Sequence, residues 1–195
     1  MSSSPIKNFD IILAIYQDSR TVFRLKDIAV LIGETRFQTL NLKLNYYVRT
    51  GKLLNPRKGI YAKPGYKHEE LACILYTPSY ISLEYVLQKS GVVFQYDSRI
   101  TLSSYLSRSI EVSGQGYIYR KIKNEILVNT SGIIRNNNTI NTATAERAFL
   151  DVLYLDVDYH FDNFNPLKKE LIYKLLPIYQ SKVLTQRVNK LIPNV

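Results

Sequence analysis

Two short runs hold the side chains best suited to meeting a polyanion. Thr35-Arg36-Phe37-Gln38-Thr39 opens a helical pattern that continues through Lys43 to Arg49, and Arg57-Lys58 lies in a turn-rich run, Asn55-Pro56-Arg57-Lys58-Gly59. Arg, Gln and Thr reach base edges in a DNA major groove, while Lys and Arg neutralise phosphates and release their counterions. If Leu40, Leu44 and Val48 face a core, a step of about 100° per residue turns Thr35, Gln38, Leu42, Tyr46 and Arg49 outward. Arg36, Thr39 and Lys43 then sit on the flanks or at the N-terminal end. Arg57 and Lys58, at a hairpin tip, would hold the phosphate backbone or the minor groove, which positions a protein without selecting sequence. The candidate DNA contacts are therefore Thr35, Arg36, Gln38, Thr39, Lys43, Arg49, Arg57 and Lys58.

Other chemistries find less support. The run Asp156-Val157-Asp158-Tyr159-His160-Phe161-Asp162 alternates polar and apolar residues, with Asp151 before it. In an extended segment these polar groups would share one face, but neither a glutamate nor a second histidine completes a metal site, and a solvated acidic loop is expected. Cys73 lies in an apolar helical run and reads as core. Neither His68 nor His160 is spaced to activate a nucleophile. Ser113-Gly114-Gln115-Gly116 lacks the Gly-Lys-Ser/Thr ending of a phosphate loop. The residues point to no catalytic group, no metal and no cofactor.

The 195 residues suffice for one ordinary domain or two small ones. A hydrophobic share of 46% and a charged share of 22% exclude a disordered chain. Charge is uneven. Residues 1–66 carry 11 basic and 4 acidic groups, a net +7, whereas residues 67–167 carry 9 and 11, a net −2. Residues 168–195 carry 6 and 1, a net +5. The N-terminal excess suits nucleic acid. No apolar run exceeds six residues, so no spanning segment and no membrane partner are expected. Met-Ser-Ser-Ser-Pro does not open a signal peptide, and a lone cysteine permits no internal disulfide, so a cytoplasmic protein is expected.

The elements that must position these groups follow from apolar spacing. Phe9, Ile12, Leu13 and Tyr16 predict a first helix, and Leu25, Ile28, Ala29 and Ile32 a second that Gly33 stops. Thr35 and Gln38 have the spacing of a capping box for a third helix, which buries Leu40, Leu44, Tyr47 and Val48. Leu53-Leu54 and Ile60-Tyr61-Ala62 read as strands around the basic turn. Three helices and a hairpin predict a winged helix-turn-helix over residues 1–64, with a linker at Lys63-Pro64-Gly65-Tyr66.

Residues 65–195 read as a mixed α/β domain ending in helices, which makes the whole chain α+β. Helices are expected at Glu69 to Tyr76, from Ser82 to about Ser90, and at Ala145 to Leu155 under a Thr144 cap. Strands are expected over 99–106 and 117–128, turning at Gly114-Gln115-Gly116, and a hairpin over 133–143 tipped by Asn136-Asn137-Asn138. Pro177 should split two last helices, 167–176 and 178–191, whose Lys168, Lys169, Lys174, Lys182, Arg187 and Lys190 flank an apolar stripe.

The order of four motifs is distinctive. Arg57-Lys58-Gly59-Ile60-Tyr61-Ala62 is followed by Pro78-Ser79-Tyr80-Ile81-Ser82-Leu83-Glu84 leading to Gly91. Tyr117-Ile118-Tyr119-Arg120-Lys121-Ile122 comes next, and then Thr144-Ala145-Glu146-Arg147-Ala148-Phe149-Leu150-Asp151. Over about residues 8–160 the chain resembles the AbiEi family of type IV antitoxins, which are abortive-infection transcriptional regulators. The family usually has Glu-Lys where this chain has Glu146-Arg147, a change that preserves charge. The resemblance implies a bacterial, cytoplasmic protein whose winged helix represses its own operon at double-stranded promoter DNA, usually at inverted repeats. It also implies a C-terminal domain that counteracts a cognate nucleotidyltransferase-like toxin without a stable complex. Two other readings stay open on the residues: an enzyme that modifies or cleaves nucleic acid or protein through Asp151, Asp156, Asp158 or Asp162, and a plain transcription factor with a partner-binding domain.

Overall fold

The computed structural model describes residues 10–136 and 139–192, and over them the fold is mixed α and β. Among the described residues it has nine α-helices, one 3-10 helix and two sheets. No helix among them is long and apolar enough to cross a membrane. The chain divides between Ile74 and Leu75 into two units.

The first unit runs α1 (Ile11–Gln17), β1 (Val22–Arg24), α2 (Leu25–Ile32), α3 (Phe37–Arg49), β2 (Leu54–Arg57), β3 (Ile60–Ala62) and α4 (His68–Leu75). Its sheet has the order β1-β3-β2, antiparallel throughout. Strand β1 is not expected from the sequence. Three residues are too few to show a period, and pairing of Val22 with Ala62 across the unit is what holds it. Ile15, Phe23, Ile28, Leu40, Leu44 and Leu53 build the core, closed by Tyr61. Gly33 ends α2 in the left-handed conformation, φ +68°, as its place after Ile32 predicts.

Three local expectations change. Helix α1 buries Ile11, Ala14 and Ile15, leaving Leu13 55% and Tyr16 48% exposed, while Phe9 lies outside the described residues. Six consecutive apolar residues fit two stripes at the same spacing, so only tertiary contacts choose between them. The capping box at Thr35 and Gln38 does not form, because α3 starts one residue late with Arg36 at its cap. Glu34 Oε1 accepts the Arg36 amide instead, at 2.9 Å. In the hairpin, Asn55-Pro56-Arg57 belongs to β2, and the turn contracts to Lys58-Gly59. Asn55 Nδ2 donates to the carbonyls of Arg57 and Ile60 at 2.9 and 2.7 Å, and the β2–β3 register shifts between Leu54 and Arg57. Pro56 is tolerated because β2 is an edge strand.

Helix α4 joins the first unit although it follows the Lys63-Pro64-Gly65-Tyr66 linker. Glu70 explains this: its buried Oε2 accepts from the amides of Thr21 and Val22 at 2.6 and 3.1 Å and from the Thr21 hydroxyl at 2.7 Å. Three donors on one carboxylate oxygen fix the helix to the start of β1. Cys73 is buried on α4, as its apolar setting predicts.

The second unit is a six-stranded mixed sheet, order β6-β7-β5-β4-β9-β8. Its strands are β4 (Ser79–Ile81), β5 (Ile100–Ser104), β6 (Arg108–Val112), β7 (Gln115–Lys121), β8 (Ile133–Asn136) and β9 (Ile140–Ala143). The β5–β7 and β4–β9 pairs are parallel and the rest antiparallel. Central β4 and β5 are buried along their whole length, and edge strands β6 and β8 are mostly exposed. Strand β6 pairs with β7 through a Ser113-Gly114 turn, so Gln115 and Gly116 belong to β7. Beyond Lys121 the expected strand over 117–128 gives way to α6 (Asn124–Leu127). The β8–β9 hairpin is present, and Asn137 and Asn138 of its tip lie outside the described residues.

Helices α5 (Glu84–Lys89), α7 (Ala145–Leu155), α8 (Lys169–Leu175) and α9 (Lys182–Leu191) complete the unit. Helix α7 is central and contacts α5, α8, α9 and β9. The Thr144 hydroxyl caps it, accepting the Arg147 amide at 3.3 Å. Pro177 sits in a 3-10 turn, Leu176–Tyr179, between α8 and α9. Ile172, Leu175, Leu184 and Val188 bury the apolar stripe of the last helices.

Candidate nucleic-acid interface

Helix α3 has a clean division of faces. Leu40 and Leu44 are fully buried and Tyr47 and Val48 pack against the same core. Gln38, Leu42, Asn45, Tyr46 and Arg49 point the other way and are exposed. Thr35 and Arg36 are exposed at the N-terminal end, Lys43 is exposed on the flank, and Thr39 is half-buried beside them. The helix thus gathers Thr35, Arg36, Gln38, Thr39, Lys43 and Arg49 on or next to one surface. Asn45 joins this surface in addition to the candidates named from sequence. The signal for Asn45 is its i+7 spacing from Gln38.

The hairpin is tied to this helix. The Tyr61 hydroxyl on β3 donates to Asn41 Oδ1 at 2.6 Å, and burial raises the phenol's pKa, keeping it a donor. The amides of Lys52 and Leu53 both donate to the Tyr47 carbonyl, at 2.9 and 3.2 Å, which folds the chain back from the helix end into β2. Arg57 closes β2 and Lys58 opens the turn, both exposed. Gly59 takes φ +78°, which a side chain there would strain.

Charge along the stretch of chain that carries this surface has one sign. Residues 35–68 contain eight Lys and Arg and no Asp or Glu. Glu34 is the carboxylate at its border, and its Oε1 sits 3.5 Å from Arg36 Nε while the Arg36 side chain stays 75% exposed. Arg20 is drawn elsewhere in the unit, with Nη2 2.6 Å from Asp18 Oδ2. That guanidinium bond holds the Asp18 carboxyl below its ordinary range. The first turn of α3 has no side-chain cap, so its amides and positive dipole end remain available to an anion.

The second unit presents the opposite arrangement, an interior polar cluster. Arg147 and Asp151, one turn apart on α7, are both 0% exposed, with Nε 3.4 Å from Oδ1. Asp151 Oδ2 accepts the hydroxyls of Ser82 at 2.7 Å, Tyr80 at 2.9 Å and Ser103 at 3.3 Å. Its Oδ1 accepts the Tyr179 hydroxyl at 2.6 Å. Burial pushes the Asp151 carboxyl up, against the pull of Arg147 and these hydroxyls. Arg147 donates to the carbonyls of Ile126 at 2.7 Å and Ser131 at 2.9 Å, and to the Tyr80 hydroxyl at 3.1 Å. The cluster joins β4, β5, α6, α7 and the Leu176–Tyr179 turn. It is not legible in the sequence because Tyr179 and Ser103 are far from α7 along the chain; the i, i+4 spacing of Arg147 and Asp151 is its local signal.

Asp151 is therefore separated from the acidic loop that follows. Asp156 ends α7, and its Oδ1 accepts the Asp158 amide at 3.3 Å, so the chain turns here and does not run extended. Asp162 Oδ2 accepts the Phe94 amide at 2.8 Å, and Phe161 is buried against Phe149. Burial raises the Tyr159 phenol to about 12. His160 is exposed, 3.7 Å from Asp162, and the His68 ring packs at a tilt of 58° against Tyr66. No three His, Cys, Asp or Glu side chains gather among the described residues.

No protein-family model matches the chain, and no curated protein sequence matches it. The fold does recur. A solved structure, the RV2827C protein from Mycobacterium tuberculosis, is similar at a TM-score of 0.52 over 93% of this chain and 74% of that one. At 13% identity this likeness concerns the fold alone.

Proposed function

We propose that the first unit is a winged helix-turn-helix that binds double-stranded promoter DNA, with α3 as the reading helix and the β2–β3 hairpin as the wing. One observation carries this reading: the outward face of α3 and the hairpin tip belong to a single stretch, residues 35–68, with eight basic groups and no acidic one. The order helix, strand, helix, helix, strand, strand supports it. In this reading Gln38 and Thr39 reach base edges, while Arg36, Lys43, Arg49, Arg57 and Lys58 hold phosphates and Thr35 lies at the uncapped helix end.

The resemblance to the AbiEi family extends the proposal. The protein acts in the cytoplasm as a repressor and type IV antitoxin, and its C-terminal domain counteracts a nucleotidyltransferase-like toxin. Inverted repeats upstream of its own operon are the expected operator. The test combines two measurements. Gel-shift titration of the full chain against its own upstream DNA should give binding that weakens steeply with salt, and co-expression should rescue cells from a neighbouring nucleotidyltransferase-like protein. Salt-insensitive or absent DNA binding would end the first half, and failure to rescue the second.

A further inference from the structure

Reading faces rich in Arg and Lys select guanine, because both pair with its O6 and N7. The outward stripe of α3 has a different composition. Gln38, Leu42, Asn45, Tyr46 and Arg49 follow one another at i, i+4, i+7, i+8 and i+11, and only the last is cationic. The middle of the stripe is apolar, with Leu42 71% and Tyr46 53% exposed. Within the described residues neither the Gln38 nor the Asn45 amide has a hydrogen-bond partner, so both donor–acceptor pairs face outward intact. Asn41, on the hairpin side, differs: its Oδ1 already accepts the Tyr61 hydroxyl, which ties its amide to the hairpin.

Gln38, Asn45 and Leu42 each have a natural counterpart on an A·T pair. A carboxamide matches the N6 donor and N7 acceptor of adenine together, and an exposed leucine matches the 5-methyl group of thymine. The cations sit off the centre of the stripe, on the flank at Lys43, at the helix ends and in the hairpin. They suit phosphates on either side of a groove more than base edges along its floor. The absence of any carboxylate from residues 35–68 matches the polyanion.

We infer that α3 selects an A·T-rich half-site, with Leu42 packed on thymine methyl groups and Gln38 and Asn45 paired with adenines. The inference rests on the proposed DNA-binding role and assigns that site its class of sequence.

The test uses the full-length protein. Selection from random-sequence duplexes should enrich a core of A·T pairs, and Gln38→Ala or Asn45→Ala should relax one adenine each by about 5–150-fold in relative affinity. Replacing thymidine by deoxyuridine in the selected duplex removes only the methyl group. It should weaken wild-type binding about fourfold per contacted methyl. Leu42→Ala should bind both duplexes alike, and Leu42 is exposed enough for the variant to fold. A consensus dominated by G·C pairs, or equal affinity for thymidine and deoxyuridine duplexes, would overturn the inference while leaving DNA binding intact. Failure to enrich or retain any duplex would remove the DNA-binding role as well. Conversion of a wild-type oligomer to a monomer by Leu42→Lys, without DNA present, would make the stripe a contact between copies and also overturn the inference.

Discussion

Helices α3 and α7 put similar residue types to opposite use. Helix α3 turns Arg49, Lys43 and its amides toward solvent and buries only aliphatic and aromatic side chains. Helix α7 buries Glu146, Arg147 and Asp151 along with its apolar residues, and each finds partners inside. Glu146 Oε1 accepts the Lys168 amide at the start of α8, and Asp151 collects four hydroxyls from three other parts of the second unit. A charged side chain on a helix therefore says little about function until its surroundings are known. Unsatisfied and exposed, it is available to a ligand; satisfied and buried, it organises the interior.

The largest expected effect breaks the interior side of this contrast. Arg147→Met leaves the Asp151 carboxyl buried without its cation, and should lower stability by about 3–5 kcal/mol in urea unfolding followed by circular dichroism. Arg147→Met with Asp151→Leu should recover much of that stability, since a matched apolar pair carries no stranded charge. A single variant as stable as the wild type would mean that the pair is not the organising contact.

Gln38→Ala tests the outward side. It should leave the unfolding curve within about 0.5 kcal/mol of wild type, as exposed positions do. Its preference for operator over scrambled duplex should fall by about 1–3 kcal/mol. Equal weakening on both duplexes would show that Gln38 touches no base. The double variant Arg57→Ala, Lys58→Ala should do what Gln38→Ala does not. Operator and scrambled DNA should weaken together, by about tenfold, and the salt dependence should flatten by about 0.9 for each phosphate no longer neutralised. A changed sequence preference with an unchanged salt slope would make the hairpin a reading element.

The smallest effect sharpens the comparison of ion pairs. Arg20 lowers the Asp18 carboxyl in the folded protein, so this pair contributes stability above the unfolded value of about 3.9, and the contribution disappears as pH falls through the lower folded value. Because Asp18 is partly solvated, the contribution is below about 1 kcal/mol. Asp18→Asn should flatten the acid limb of a thermal-unfolding series between about pH 2 and 5. An unchanged limb would place the acid sensitivity elsewhere.

Short-range patterns are legible in the sequence wherever one face alone fits the spacing. The α3 face, the Gly33 stop, the β2–β3 hairpin and the Thr144 cap each depend on residues a few positions apart, and the structure has them. The eight candidate contacts can be gathered from sequence because seven of them are exposed on or beside one helix and its hairpin. The α1 face is not legible, since Ile11 to Tyr16 is apolar throughout. Nor is the absence of the Thr35 box, because its spacing does not say where helix hydrogen bonding begins.

Local periodicity, charge distribution and turn chemistry by themselves determined a basic helical N-terminal region and a mixed α/β remainder. Tertiary structure decided what depends on groups distant in sequence. Strand β1 exists through Ala62, α4 joins the first unit through Glu70 and Thr21, and Asp151 becomes an interior group through Ser82, Ser103 and Tyr179. The physical reason is common to all three. A backbone strand or a buried charge is stable only when its hydrogen-bonding groups are satisfied, and here the partners come from remote segments.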